Sequence, residues 1–252
     1  MPYNRDVFFA AIKPMFRGSY KKVQITGLDY LLDNIDQLPA SFDDRWIAYM
    51  LATTFHETAT SMTPIREFGK GRGKKYGTVY YGRGYVQLTW VFNYRSMSPV
   101  CGVDLTAKPE LALVPTNAWQ IMQYGMTNGT FTGKRLSTYF NKITDDPVGA
   151  RRIINGTDCA EKIAGYHKII LGALRKAKET VVTTQATTVA PKVPEAVPEA
   201  PAKQVEATPP KADPKPSNAN PSAPVAHPTS SKEPTLGEVL FNYVKSKISG
   251  RT

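Results

Sequence analysis

Residues 80–94 read YYGRGYVQLTWVFNY and stand between two stretches of different character. Before them, from Thr60 to Gly84, the chain has six glycines and no helical period. That pattern predicts a long loop, with a short hairpin around residues 78–85. Helical spacing resumes at about residue 90. Because long loops inside a compact domain are commonly functional, this loop is a candidate functional segment.

Amphipathic helices are predicted on both sides of this loop. Apolar residues recur there at spacings of three and four, and Ser41–Asp44 supply N-cap chemistry for the third helix. The predicted helices cover residues 5–16, 24–37, about 41–58, 90–98, 116–127, 147–154 and 159–178. The pattern therefore predicts a mainly α domain.

The C-terminal part of the 252-residue chain differs from the rest. No Phe, Tyr or Trp occurs from Val181 to Leu240, and 12 of the 20 prolines lie between residues 181 and 234. Such a segment cannot bury enough apolar surface to offset its ordering entropy. We predict a folded domain at 1–180, a disordered Pro/Ala-rich linker at 181–234 and a short amphipathic helix at 235–252. That helix can make a weak contact with a wall or a membrane, or dock on its own domain.

Composition and charge narrow the classes of function. No run of about 18 apolar residues is present, and the N-terminal stretch lacks the form of a cleavable signal peptide. Two cysteines are too few for a disulfide-built scaffold of this size. Because the lack of a signal peptide predicts that the protein accumulates inside the cell that makes it, both cysteines are expected to be free thiols. Residues 1–180 hold 24 Lys and Arg against 15 Asp and Glu. This excess favours an anionic partner, which can be nucleic acid, a membrane surface or an acidic wall polymer.

Two carboxylates flank the start of the loop. Glu57 ends the third predicted helix in the string FHET, where burial raises a carboxyl pKa as a general acid requires. Glu67 lies ten residues further on among cations such as Arg66 and Lys70, which should hold it ionised. One protonated and one ionised carboxyl are what glycosidic hydrolysis needs. From position alone, Glu57 can also be a solvated helix-end residue, and Glu67 a plain surface ion pair.

Two other stretches of sequence resemble functional motifs but do not support the functions that those motifs indicate. His56 and Glu57 resemble half of a zinc-protease HExxH motif, but Thr60 occupies the place of the second histidine. The basic run at residues 69–75 has no interleaved aromatic residue, so it does not favour nucleic acid. We expect no metal or organic cofactor and no nucleic-acid partner.

The chain resembles the family 19 glycoside hydrolases, which are the lysozyme-like chitinases and their phage-lysin relatives. The resemblance rests on FHET (55–58), on residues 80–94, on KPELALVPTNAWQIMQYGM (108–126) and on RIINGTDC (152–159), in the family's order. It implies a lysozyme-like α-helical (α+β) domain with a small hairpin or loop beside a cleft.

The resemblance also implies roles for individual residues. Glu57 matches the general acid, and Thr89 matches the hydroxyl that helps to hold the attacking water. Glu67 fits the position of the base in shorter members, and if it points away, Asp158 or a water held by Thr89 alone must serve. The residues matched to the sugar cleft are His56, Tyr81, Arg83, Gln87, Asn93 and Asn155.

The implied reaction is inverting hydrolysis of β-1,4 bonds beside N-acetylglucosamine. Glu57 protonates the leaving oxygen and Glu67 deprotonates a water on the opposite face of the ring, with the carboxyls about 6.5–9.5 Å apart or more in an open cleft. Tyr, Trp and Gln side chains suit a sugar cleft. At least half of Tyr80, Tyr81, Tyr85, Trp90 and Tyr94 are nevertheless expected in the core.

The polymer is either peptidoglycan, which is anionic, or chitin, which is neutral. The positive charge and the basic loop favour peptidoglycan. The missing signal peptide agrees, because a phage endolysin is made in the host cytoplasm and acts on the cell wall after release. We therefore predict a bacteriolytic, monomeric endolysin, with a chitinase as the alternative. Two other classes of function are kept as alternatives: a non-catalytic wall-binding module and a nucleic-acid-binding protein.

Overall fold

The computed structural model describes residues 3–188, with side chains described to residue 181. Most of the predicted linker and the predicted C-terminal helix therefore lie outside the described residues. The described part consists of α-helices and one two-stranded antiparallel sheet. Its elements are α1 (Arg5–Ile12), α2 (Lys22–Ile35), α3 (Asp44–Glu57), β1 (Ile65–Arg66), β2 (Arg83–Gly84), α4 (Val91–Cys101), α5 (Pro115–Asn128), α6 (Leu136–Tyr139) and α7 (Ala160–Thr188).

Helix α3 lies inside the hydrophobic core and carries Glu57 at its end. Every residue from Ile47 to Phe55 is buried, and α7 packs against both α3 and α1. Asp43 caps the start of α3, because its carboxylate accepts a hydrogen bond from the Arg45 N–H at 2.8 Å. The predicted N-cap chemistry is confirmed, and the core fixes the direction in which α3 presents its last residue.

The mainly α class with a small hairpin beside a cleft is confirmed, with differences in detail. The predicted helix at 5–16 ends in a 3₁₀ turn at Lys13–Phe16, because Pro14 cannot continue α1. The segment predicted as a helix at 147–154 is a 3₁₀ turn, Gly149–Ile153. Helix α7 continues past residue 180 to Thr188, into the segment predicted as linker.

The hairpin differs from the one predicted around residues 78–85. Strand β2 lies in that segment, but its partner is β1, with Ile65 opposite Gly84 and Arg66 opposite Arg83. The glycine-rich residues 67–82 form the connection, called the 67–82 loop below. Gly71 has a φ of +71°, and a Cβ there would collide with the carbonyl oxygen of Gly77. Only glycine lets the loop fold back on itself so closely.

Two further features can be compared with the sequence predictions: the hydropathy of the helices and the state of the cysteines. None of the described helices is both long and apolar enough to cross a membrane. Cys101 and Cys159 are free thiols, as predicted.

Candidate active site

A cleft of about 850 Å³ lies between the 67–82 loop, the start of α4 and the segments around residues 131 and 152. Six of the nine predicted site residues line it, so the structure brings together both carboxylates and most of the predicted polar groups. These six are Glu57, Glu67, Gln87, Thr89, Asn93 and Asn155.

Glu57 is held at a sharp exit from α3. The Thr58 hydroxyl donates to the Thr54 carbonyl at 2.7 Å and accepts from the Met62 N–H at 3.1 Å. Ala59, Thr60 and Met62 all have positive φ, an unusual conformation for residues other than glycine. Such backbone geometry concentrates at functional sites, and here it turns the chain directly after Glu57.

The Glu57 carboxylate forms an ion pair with Arg151. Nη1 of Arg151 donates to Oε1 of Glu57 at 2.7 Å, and the two side chains are 4% and 15% exposed. The Nε atom of Arg151 donates to the Asp158 carbonyl at 2.9 Å. The guanidinium is therefore fixed at two points, and it orients the carboxylate that lines the cleft. Sequence analysis predicted the burial of Glu57 but not this cation.

Glu67 is held by two neutral donors rather than by its basic neighbours. The Tyr76 hydroxyl donates to Oε1 at 2.6 Å, and the Gly82 N–H donates to Oε2 at 3.0 Å. Burial, and then the hydrogen bond and charge of Glu67, raise the pKa of Tyr76 to about 12, so its hydroxyl stays a donor at neutral pH. Arg66, expected beside Glu67, pairs with Glu110 instead.

Gln87 fixes the floor of the cleft between the two strands. Its amide N–H groups donate to the carbonyls of Ile65 and Gly84 at 3.1 and 3.2 Å, and its φ is +53. A Cβ on Gly82 would lie 2.7 Å from Oε1 of Gln87 and 3.3 Å from the Glu67 Cβ. Gln87, Gly82 and Glu67 are therefore in close contact, and the glycine is required for it.

Two further predicted polar residues that line the cleft differ in burial: Asn93 is buried and Asn155 is exposed. The Asn93 side chain donates to the Thr89 carbonyl at 3.0 Å, which fixes it at the start of α4. Asn155 is exposed, and its side-chain oxygen accepts from the Gly156 N–H at 2.9 Å.

The structure places Tyr81 and Arg83 away from this cleft, contrary to the sequence prediction. Both line a separate groove of about 560 Å³, together with Lys70, Arg72 and Glu110. The Arg83 guanidinium is buried; it donates to Glu110 at 2.7 Å and to the Tyr94 hydroxyl at 2.8 Å, and it lies 3.6 Å from the centre of the Tyr81 ring. Its buried charge must be paired, and these contacts occupy it. Arg83 and Tyr81 therefore stabilise the packing of residues 80–94.

His56 and Asp158 also lie outside the set of cleft-lining residues. His56 is half-buried beside Glu57; burial lowers its pKa, and the charge of Glu57 opposes that effect. Asp158, the alternative base, is exposed and contributes its backbone carbonyl to Arg151.

Aromatic rings form one edge of the cleft. Trp90 and Phe92 are 37% and 53% exposed and stack with ring centres 5.9 Å apart, and Tyr76 meets Trp90 edge to face at 5.8 Å. Exposed, stacked rings suit the faces of pyranose sugars. Tyr81, Tyr85 and Tyr94 are buried, which confirms that at least half of the aromatic residues in 80–94 belong to the core.

Four cations also line the cleft: Lys74 and Lys75 from the 67–82 loop, and Lys134 and Arg152 from the far segments. The basic loop predicted the first two, whereas no pattern in the sequence predicted the other two. Within residues 3–181, no group of three or more His, Cys, Asp and Glu side chains is arranged to hold a metal ion.

The chain was compared with known proteins. No protein-family model matches it. It is 32% identical over 125 residues to an endochitinase of Arabidopsis thaliana, which is 46% of this chain and 41% of that protein. The chain thus spans about two fifths of the length of the curated relative that it matches.

Two solved structures are also similar. Chitinase C from Streptomyces griseus HUT6037 matches with a TM-score of 0.46 and 24% identity, over 65% of this chain and 75% of that one. A bacterial family 19 chitinase matches with a TM-score of 0.45 and 20% identity, over 69% and 95%. In sequence the chain is thus similar to a plant endochitinase over part of its length, and the solved structures that it resembles are bacterial chitinases, one of them described as a family 19 chitinase.

Proposed function

We propose that the folded domain is an inverting glycoside hydrolase that cleaves β-1,4 bonds in polymers containing N-acetylglucosamine. The observation that carries this proposal is that Glu57 and Glu67 line one cleft while held by different partners. Glu57, held in position by Arg151, enters the reaction in its protonated form and gives its proton to the leaving oxygen. Glu67, which accepts hydrogen bonds on both oxygens, takes the proton of the attacking water.

The rest of the cleft supports binding of a sugar chain. Stacked Trp90 and Phe92 offer an apolar face, and Asn93 and Asn155 offer amides for hydroxyl groups. Thr89 lines the same cleft, so its hydroxyl can help to hold the attacking water.

Peptidoglycan is the substrate that we favour within this class. Four cations line the cleft against two carboxylates, so the cleft attracts an anionic polymer more than a neutral one. The protein would then act as a bacteriolytic endolysin. Chitin is the second candidate, and the similarity to a plant endochitinase supports it.

The test compares wild type, Glu57→Gln and Glu67→Gln on purified peptidoglycan and on chitin oligomers, by release of reducing ends. We expect each variant to lose about 10²–10⁴-fold in kcat, with binding retained in a pelleting assay. Glu161→Gln, an exposed change on α7, is the matched control and should keep full activity. A wild type that binds walls but releases no ends from either polymer would make the protein a non-catalytic wall-binding module. Clearing of chitin alone would make it a chitinase.

A further inference from the structure

Lys134 and Arg152 come from different segments of the chain but meet at one hydroxyl group. The Thr132 hydroxyl donates to the Arg152 carbonyl at 2.6 Å and accepts from the Lys134 N–H at 3.3 Å. Both cationic side chains are exposed and line the cleft. Their backbones are thus fixed relative to each other, while their charged ends face the solvent that a substrate would displace.

The carboxylate on this side of the cleft already has a cation of its own. Glu57 pairs with Arg151, the residue directly before Arg152, and Arg151 is buried. Among the ion pairs within residues 3–181, none involves Lys134 or Arg152. The charges of Lys134 and Arg152 are therefore not used to balance the general acid.

The two cations on the 67–82 loop stand in a different setting. Lys74 and Lys75 share their loop with Glu67, whose partners Tyr76 and Gly82 are neutral. Lys74 and Lys75 are therefore the cleft cations that share a loop with the candidate base, whose hydrogen-bond donors are both neutral. Lys134 and Arg152 are instead the cleft cations on the side of Glu57, a carboxylate that already has Arg151 as its partner.

We propose that Lys134 and Arg152 form a subsite for a carboxylate of the polysaccharide, beside the bond that Glu57 cleaves. A guanidinium binds a carboxylate through two parallel hydrogen bonds, and an ammonium adds a point charge. Peptidoglycan offers such groups on its peptides, and on lactyl groups that carry no peptide, whereas chitin has none. The subsite therefore selects peptidoglycan. This inference rests on the proposed hydrolase function and assigns the residues that read the anionic substituent.

The experiment uses the full chain with Lys134→Gln and Arg152→Gln combined. We expect kcat/KM on peptidoglycan to fall about tenfold or more and kcat/KM on chitin oligomers to change less than about twofold, because only peptidoglycan has the carboxylate. The control is Lys142→Gln combined with Lys168→Gln, two exposed lysines outside the cleft, which removes the same net charge. Equal losses on both polymers, or the same loss in the control, would overturn the proposal.

A binding measurement separates this subsite from the hydrolase activity. In the Glu57→Gln background, pelleting with native peptidoglycan is compared with pelleting on peptidoglycan whose carboxyls have been converted to amides. The subsite predicts weaker binding to the amidated polymer, and no further weakening from amidation once Lys134 and Arg152 are replaced. Amidation that weakens both proteins equally contradicts it, even if the wild type proves inactive.

Discussion

Arg151 donates from Nη1 to Oε1 of Glu57 at 2.7 Å, and this pair joins residues that lie 94 positions apart in the chain. One partner ends α3, and the other lies in the 3₁₀ turn Gly149–Ile153. Both side chains are largely withdrawn from solvent. The orientation of the candidate general acid therefore depends on a segment that the FHET motif does not contain.

Replacing Arg151 tests this dependence. Arg151→Met leaves a buried carboxylate without its cation, so the free energy of unfolding should fall by about 3 kcal/mol. In a double-mutant cycle measured by urea unfolding, Glu57→Gln should recover part of that loss, because the two side chains interact directly. Arg152→Met is the matched control: its side chain is exposed, and its effect should stay within about 0.5 kcal/mol. Equal losses at positions 151 and 152 would contradict the role of the ion pair.

The hydroxyl of Tyr76 gives a prediction about the candidate base. Tyr76→Phe keeps the ring at the edge of the cleft but removes the donor to Oε1 of Glu67. We expect kcat to fall about tenfold with KM nearly unchanged, since a net hydrogen bond to a charged group is worth about 1.5–3 kcal/mol. Steady-state kinetics on the preferred polymer measure this. The control is Tyr124→Phe, at an exposed tyrosine of α5, which should leave kcat and KM unchanged. If Tyr76→Phe raises KM and leaves kcat unchanged, the hydroxyl of Tyr76 acts in sugar binding instead.

Gly82 makes a prediction about packing at the same carboxylate. In Gly82→Ala, the new Cβ would lie 2.7 Å from Oε1 of Gln87, and Gln87 can move only by breaking its hydrogen bonds to β1 and β2. Stability should fall by about 1–3 kcal/mol, and activity should fall with it. Gly172→Ala is the control, because nothing lies within 4 Å of its Cβ position in α7. That change should stabilise the protein by about 0.5–1 kcal/mol, as thermal unfolding would show.

The sequence predicted the helices whose apolar stripes are long enough to show a period. Helices α2 and α3 begin and end within a few residues of their predicted bounds. The prediction of a hairpin around residues 78–85 was wrong, because β1 and β2 are only two residues each and a long loop joins them. Helix α6, of four residues, is too short to show a period at all.

The candidate site, like the fold, could be predicted from the sequence only in part. Motif strings identify residues that are near one another in the chain, and Gln87, Thr89 and Asn93 do share the cleft. A string does not say which of its members face inward, so Arg83 was assigned to the cleft although its buried charge is satisfied by Glu110 and Tyr94. The direction in which a side chain points depends on its contacts with segments that are distant in the chain.

The buried His167 and the half-buried His56 define a pH range in which stability should change. His167 is 3% exposed, and its Nε2 atom lies 3.2 Å from the Arg45 carbonyl, so this nitrogen carries the donated proton of a neutral ring. Burial lowers the pKa of His167 and of His56 below the usual 6.5, although the Arg45 carbonyl opposes this at His167 and Glu57 opposes it at His56.

A lowered histidine pKa means that the unfolded chain binds more protons than the folded one just below pH 6.5. The stability contributed by the neutral rings is therefore fully present above pH 6.5 and is lost as the pH falls toward the pKa of the folded state. We expect the free energy of unfolding, measured in urea at pH 7.5 and at pH 5, to be lower at pH 5. His167→Gln should be less stable at both values but should show a smaller difference between them. A wild type with equal stability at the two pH values would show that the buried rings are not neutral in the folded protein.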